Sequence, residues 1–200
     1  MPIVRTSAFL LLIAVAAAAL APIKASAKIV QVRPDPAARI AAQREAMQRF
    51  AALDGIWRGP AWTMLPSGER HTLTQTERVG SMLDGSVKVI EGRGYATDGS
   101  TGFNAFAVLS YDPDKQSFAM RSYAQGQVGD FAVRPTESGF AWEIPAGPLT
   151  IRYTAILEGD EWVEHGDRLL PGKEPVRFFE MTLSRVGDTG WPAAGEVGAE

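Results

Sequence analysis

Apolar and polar positions along this chain follow two different periods, and the change between them falls at Gly55. From Ala37 to Leu53 the apolar positions recur every three or four residues: Ile40, Met47 and Phe50, supported by Ala37, Ala41 and Ala51. That spacing marks one face of an α-helix. Asp35 stands where an N-cap accepts the first free amides, and Pro36 follows in the first turn, where its missing N–H costs nothing. The pattern predicts one amphipathic helix over 35–53, stopped by Gly55.

Beyond Gly55 apolar and polar residues alternate, which is the two-residue period of strands. Strands are predicted near 56–63, 69–79, 86–97, 103–111, 116–125, 127–134, 138–144, 149–158, 161–165 and 175–186. Turn formers separate them, among them Pro66-Ser67-Gly68, Asp112-Pro113-Asp114, Pro145-Ala146-Gly147-Pro148 and Glu158-Gly159-Asp160. About ten short strands with such brief links predict an all-β, antiparallel up-and-down meander. An open sheet of that length leaves two edges free to pair with other chains, so closure into a barrel over 55–186 is the economical arrangement. Gly187–Glu200, rich in Gly, Ala and Glu, reads as a flexible tail.

Two hairpins give an expected register. Pairing Ile144 with Leu149 sets Trp142 opposite Ile151 and Phe140 opposite Tyr153, with Phe140, Trp142 and Tyr153 on one face. Glu143 and Arg152 fall on the other face as near-diagonal partners. Pairing Tyr111 with Gln116 sets Leu109 opposite Phe118 and Ala107 opposite Met120. The second face of this hairpin carries Asn104, Phe106, Val108, Arg121 and Tyr123. Both its faces hold large residues, so the pattern leaves open which of them lines the interior.

Residues 1–27 have another character. Arg5 gives a short positive start, Phe9–Leu20 is apolar, and Ala25-Ser26-Ala27 fits a small-residue cleavage site. The apolar run falls short of the roughly 20 residues a membrane-spanning helix needs. The segment therefore reads as a signal peptide, with a short lead over 28–34 after cleavage and a periplasmic or secreted mature protein. Its loss removes Arg5 and Lys24 and so makes the formal net charge of −3 more negative. Such a surface argues against nucleic acid as a partner and against stable attachment to anionic membrane. Without cysteine, burial of apolar surface has to hold the fold together.

Three segments then carry a resemblance. Leu53-Asp54-Gly55-Ile56-Trp57-Arg58-Gly59, Ser110-Tyr111-Asp112-Pro113-Asp114-Lys115 and Met181-Thr182-Leu183-Ser184-Arg185 are similar in order and spacing to a bacterial family of small exported proteins of unknown function. The resemblance covers about residues 45–186 and implies a lipocalin-like barrel. It also implies a structural role for the Gly-x-Trp of the first strand: Trp57 closes the barrel base and Arg185, from the last strand, lies across the indole. Such stacking contributes about 0.5–2 kcal/mol.

No catalytic signature stands out. His71 and His165 are the two histidines, and they lack the companions a metal site needs. No Gly-x-Ser-x-Gly elbow or phosphate loop occurs. The acids Glu158, Asp160, Glu161, Glu164 and Asp167 lack the order of a calcium loop and read as a solvated edge. Nitrobindins, haem-carrying lipocalin-like barrels, use a histidine on a late strand. The matching stretch Phe178–Leu183 has none, so no cofactor is expected.

The remaining hint is Arg121-Ser122-Tyr123: Arg and Tyr two apart share a strand face and, with Asn104, could hold a carboxylate. The expected function is therefore noncatalytic binding of a small hydrophobic or carboxylate-bearing molecule in the barrel. Either Phe140, Trp142 and Tyr153 or Asn104, Arg121 and Tyr123 would line the site. Two alternatives stand beside it: an envelope interaction module with a filled core, and an uncharacterised enzyme working through Glu91, Glu143, Glu180 or His71.

Overall fold

The alternation after Gly55 builds ten strands: β1 (Gly55–Met64), β2 (Arg70–Met82), β3 (Val87–Tyr95), β4 (Thr101–Asp112), β5 (Ser117–Ala124), β6 (Gln127–Pro135), β7 (Gly139–Ala146), β8 (Leu149–Glu158), β9 (Glu161–Leu169) and β10 (Val176–Gly187). This computed structural model describes residues 35–192; the segment read as a signal peptide, its lead and residues 193–200 lie outside the described residues. Each strand pairs antiparallel with its neighbour in sequence, and β1 pairs with β10, so the sheet closes into an up-and-down barrel. Among the described residues no helix is long and apolar enough to cross a membrane.

Both hairpins run two residues away from the expected register. Trp142 faces Tyr153 and Phe140 faces Ala155, because the β7–β8 turn needs only Gly147 and Pro148. Gly147 takes a φ of +65°, which suits the first central position of a tight hairpin turn. At β4–β5 Gln116 belongs to the turn, so Tyr111 faces Phe118 and Leu109 faces Met120. A two-residue slip keeps every side chain on its own face, whereas a one-residue slip would invert them all. The seam between β6 and β7 is short, running from Val133↔Trp142 to Pro135↔Phe140. Beyond Val133 and Trp142 the ladder between these two strands stops.

One end of the barrel is closed by the N-terminal helix. Asp35 accepts the Ala37 amide at 3.0 Å and α1 (Pro36–Met47) follows, as the sequence predicts. The chain then tightens into a 3₁₀ helix over Gln48–Leu53. With three residues per turn, a 3₁₀ helix stacks every third side chain. Met47, Phe50 and Leu53 accordingly point together into the barrel and are buried. Ile40, expected on that stripe, lies outside it and is 42% exposed, because α1 overhangs the rim. Ion pairs Arg39–Asp114 and Arg44–Asp84 hold the overhang in place.

Below the helix, Phe50 meets Phe118 and Phe140 edge-on at 5.1 and 5.8 Å, and Trp57 meets Trp162 at 5.9 Å. Trp57 is wholly buried, and its Nε1 donates to the Leu53 carbonyl at 2.8 Å. Arg185, opposite Trp57 in the β1–β10 ladder, does not stack on the indole as the resemblance implies. Its Nη2 instead donates to the Asp54 carbonyl at 2.8 Å and its Nη1 pairs with Asp188. The edge-on contact with Trp162 and the hydrogen bond to Leu53 already fix the ring, while the Asp54 carbonyl at the helix exit needs a donor.

Candidate ligand site in the barrel lumen

Strand parity separates the candidate residues into two groups. On β4 and β5 the inward positions are Ala105, Ala107, Leu109, Met120 and Ser122, which leaves Asn104, Arg121 and Tyr123 on the outer wall. Arg121 pairs there with Asp130 at 3.0 Å and donates to the Tyr123 hydroxyl at 3.0 Å. Tyr123 is 46% exposed. These three residues therefore do not line the lumen; Asn104 and Tyr123 border an open outer groove of about 600 Å³ with Phe106, Glu91 and Arg93. An adjoining outer groove of about 530 Å³ is edged by Ile56, Tyr95 and Trp191. Residues 188–192, at the start of the segment read as a tail, run back over this wall, where Trp191 packs edge-on against Phe106 at 6.4 Å.

Phe140, Trp142 and Tyr153 point inward. Phe140 belongs to the filled floor against Phe50. Trp142 and Tyr153 stand one level higher, stacked with centroids 4.4 Å apart and planes 10° from parallel. Phe131 flanks Trp142 at 5.0 Å, and Phe179 flanks Tyr153 at 5.8 Å. A register shift in β10 between Arg177 and Phe179 brings Phe178 to Tyr153 as well, at 5.9 Å. Together these rings form an aromatic belt.

The belt differs from the floor in packing. Trp57, Leu109, Leu183 and Ala155 are sealed from solvent, whereas Phe131, Trp142, Tyr153 and Phe179 each keep partial exposure although their side chains point inward. The belt packs on the floor without being sealed by it, so the barrel is filled more tightly at the helix end than at the belt. The interrupted β6–β7 seam starts beside Phe131 and Trp142, at this level.

Opposite and below the aromatics the lumen carries two carboxylates. Glu77 on β2 and Glu164 on β9 share the inward parity of Val79 and Trp162 respectively. Gln75 Nε2 donates to Glu77 Oε1 at 2.7 Å. Burial pushes the Glu77 carboxyl up to about 8, opposed by the Gln75 hydrogen bond and assisted by the nearby charges of Glu164 and Glu91. Burial likewise raises Glu164 to about 7, opposed by the Trp162 indole N–H turned toward it. Trp162 Nε1 is buried and has no partner within hydrogen-bonding geometry. Tyr153 is pushed up to about 12, by burial first and then by the charge of Glu164.

Neither lumen acid was singled out by sequence as a site residue, and Glu164 was read as part of a solvated edge. The usable signal was parity: Glu77 is two residues from Val79, and Glu164 two from Trp162. The acids that were named lie on the outer wall instead. Glu91 pairs with Arg93, Glu143 with both Arg134 and Arg152, and Glu180 with Arg177. His71 is exposed, and His165 lies outside beside Asp167 and Arg177, where burial and then the Arg177 charge lower its pKa. Among the described residues no group of three His, Cys, Asp or Glu is placed to hold a metal ion.

Ten strands, short links, closure of β1 on β10 and a helix plugging one end decide the architecture. The fold is a lipocalin-like barrel. Among solved structures, the chain is similar to Rv2717c from M. tuberculosis, with a TM-score of 0.53 and 13% identity over 70% of this chain and 96% of that one. It is also similar to the S-type phycobiliprotein lyase CPES from Guillardia theta, with a TM-score of 0.49 and 11% identity over 72% of this chain and 94% of that one. No protein-family model and no curated protein matches the sequence.

Proposed function

We propose that this barrel is a noncatalytic carrier or sensor that holds a small, mainly apolar molecule in its lumen, and that it works in the periplasm or outside the cell. The observation that carries the reading is the aromatic belt of Phe131, Trp142, Tyr153 and Phe179, which faces inward above a filled floor yet retains exposed surface. Aromatic rings offer large rigid apolar surface, and lumens of barrels near this size admit one small ligand. Each buried ligand methylene contributes about 0.8 kcal/mol, offset by association costs of at least about 4 kcal/mol. A ten-carbon chain, worth about 8 kcal/mol before that offset, therefore binds with a Kd of about 1 mM at best.

Titration of mature protein with a neutral solvatochromic dye such as Nile red tests the reading, with tryptophan fluorescence as a second signal. The dye should brighten and be displaced by decanol, and Trp142→Ala should weaken it severalfold. A dye that binds equally well to wild type and Trp142→Ala overturns the lumen as the site. N-terminal sequencing of protein from the periplasmic fraction tests the proposed export, which requires a start at Lys28.

A second reading is supported by the outer wall. Phe106, Tyr123 and Val128 are exposed together around the 600 Å³ groove, as in an interaction module. Its charged residues are already paired with one another, Glu91 with Arg93 and Arg121 with Asp130, which makes it the weaker candidate for a small ligand. Tyr123→Ala separates the two readings, since it leaves dye binding in the lumen unchanged.

A further inference from the structure

The carrier reading leaves the two lumen carboxylates without a task. Neither Glu77 nor Glu164 has a cationic partner among the described residues. The other charged groups that face inward are engaged elsewhere. Lys88 on β3 sits at the floor, bonded to Asp54 at 2.5 Å and Ser81 at 3.1 Å. Arg185 on β10 is held by Asp54 and Asp188. Arg168 on β9 lies four residues from Glu164, about 13 Å along the strand toward the mouth, with its guanidinium over the Phe178 ring.

Two features favour the ionised form of these acids despite the apolar surroundings, and a third favours a cation beside them. Gln75 already donates to Glu77. Trp162 Nε1 is buried, lacks any partner and is turned toward Glu164, so only an ionised or accepting carboxylate relieves it. The faces of Trp142 and Tyr153 carry negative quadrupoles that attract cations. Two protein donors, two acids and an aromatic wall share the lumen, and the missing element is a positive charge.

We propose that Glu77 and Glu164 form a subsite for the positively charged end of the ligand, which makes the preferred cargo a cationic amphiphile such as an alkylammonium. The inference rests on the lumen-carrier reading and adds the chemistry of the ligand's polar end. The cation neutralises the pair, lets both carboxylates stay ionised and gives Trp162 Nε1 its acceptor. The apolar tail then runs along the aromatic belt toward the mouth. A carboxylate-bearing ligand, the earlier expectation, would meet like charge in the deep lumen.

Three probes with one tail test this: decylammonium, decanol and decanoate, titrated against the mature protein at about pH 9 and about pH 6. Decylammonium should bind about tenfold tighter than decanol at the higher pH. The advantage should shrink at the lower pH, as protonation of Glu77 and Glu164 removes the charge. Glu164→Gln should abolish the preference of decylammonium over decanol, and Glu77→Gln should reduce it. Circular dichroism confirms folding, and the pH comparison on wild type stands even where a variant fails to fold. Equal affinity for decanol and decylammonium overturns the subsite and leaves the carrier reading intact. Tightest binding of decanoate also overturns it, in favour of Arg168 at the mouth. Binding of none of the three overturns the carrier reading and the subsite with it.

Discussion

The Glu77 carboxylate occupies the space that a side chain at Gly92 would fill: a Cβ there would lie 2.7 Å from Oε1 and 2.9 Å from Oε2. The two residues face each other across the β2–β3 ladder, so the glycine is what lets the acid lie flat against the wall with Gln75 bonded to it.

Gly92→Ala should therefore tilt Glu77 and strain its bond with Gln75, lowering stability by about 1–2 kcal/mol. Urea denaturation reads the loss. In a Glu77→Ala background the same substitution should cost little, because the atoms it strikes are gone. A double-mutant cycle with no coupling would mean that Glu77 is not held against Gly92.

The raised carboxyls also set a pH dependence. Glu77 moves up to about 8 and Glu164 to about 7, so the folded state holds protons that the unfolded state releases near its ordinary pKa of 4.5. Between those values the native protein binds more protons, and stability falls as pH rises. The decline should begin near pH 5 and level off above about pH 8, and it should amount to several kcal/mol. Glu77→Gln and Glu164→Gln should each flatten the curve and be more stable than wild type at high pH. Chemical denaturation across this range decides it, and a stability that rises from pH 5 to 8 would contradict the burial of both groups.

How much of this was legible before the structure depends on what parity can decide. The barrel and its strand order follow from alternation around clear turns, and parity puts Phe140, Trp142 and Tyr153 on one face, though only the structure turns that face inward. Asn104, Arg121 and Tyr123 were harder, because Phe106 and Val108 make the outer face of β4 nearly as apolar as the inner one. The lumen acids were hidden for the opposite reason: Gln75 and Glu77 alternate with Thr74, Thr76 and Arg78, so β2 is polar on both faces. Only the neighbouring Val79 marks Glu77 as inward. The turn from α-helix to 3₁₀ at Gln48 has no sequence signature, yet it selects Met47, Phe50 and Leu53 over Ile40 for the floor.

Trp57 joins that floor to the sheet by its ring and its N–H. Trp57→Ala should cost about 3–5 kcal/mol as a buried aromatic truncation. Trp57→Phe keeps most of the packing against Trp162 but leaves the Leu53 carbonyl without its donor, and should cost about 1–3 kcal/mol. Thermal melts of both variants check the order. A Phe variant as damaged as the Ala variant would place the hydrogen bond, and not the ring, at the centre of barrel closure.

Asp54 and Lys88 make the last test, because their pairing is lopsided. Lys88 is almost wholly buried, while the Asp54 side chain is 40% exposed at the helix exit. Removing the acid strands a buried ammonium; removing the lysine leaves an acid that can turn to water. Desolvation dominates such pairs, so Asp54→Ala should cost about 3–5 kcal/mol and Lys88→Met under about 1 kcal/mol. Urea midpoints of the two variants measure the difference. Equal losses would show that the attraction itself, and not the burial of the ammonium, holds the helix exit against β3. The larger loss at Asp54 would explain why this residue sits between Leu53, which fills the floor, and Gly55, which begins the first strand.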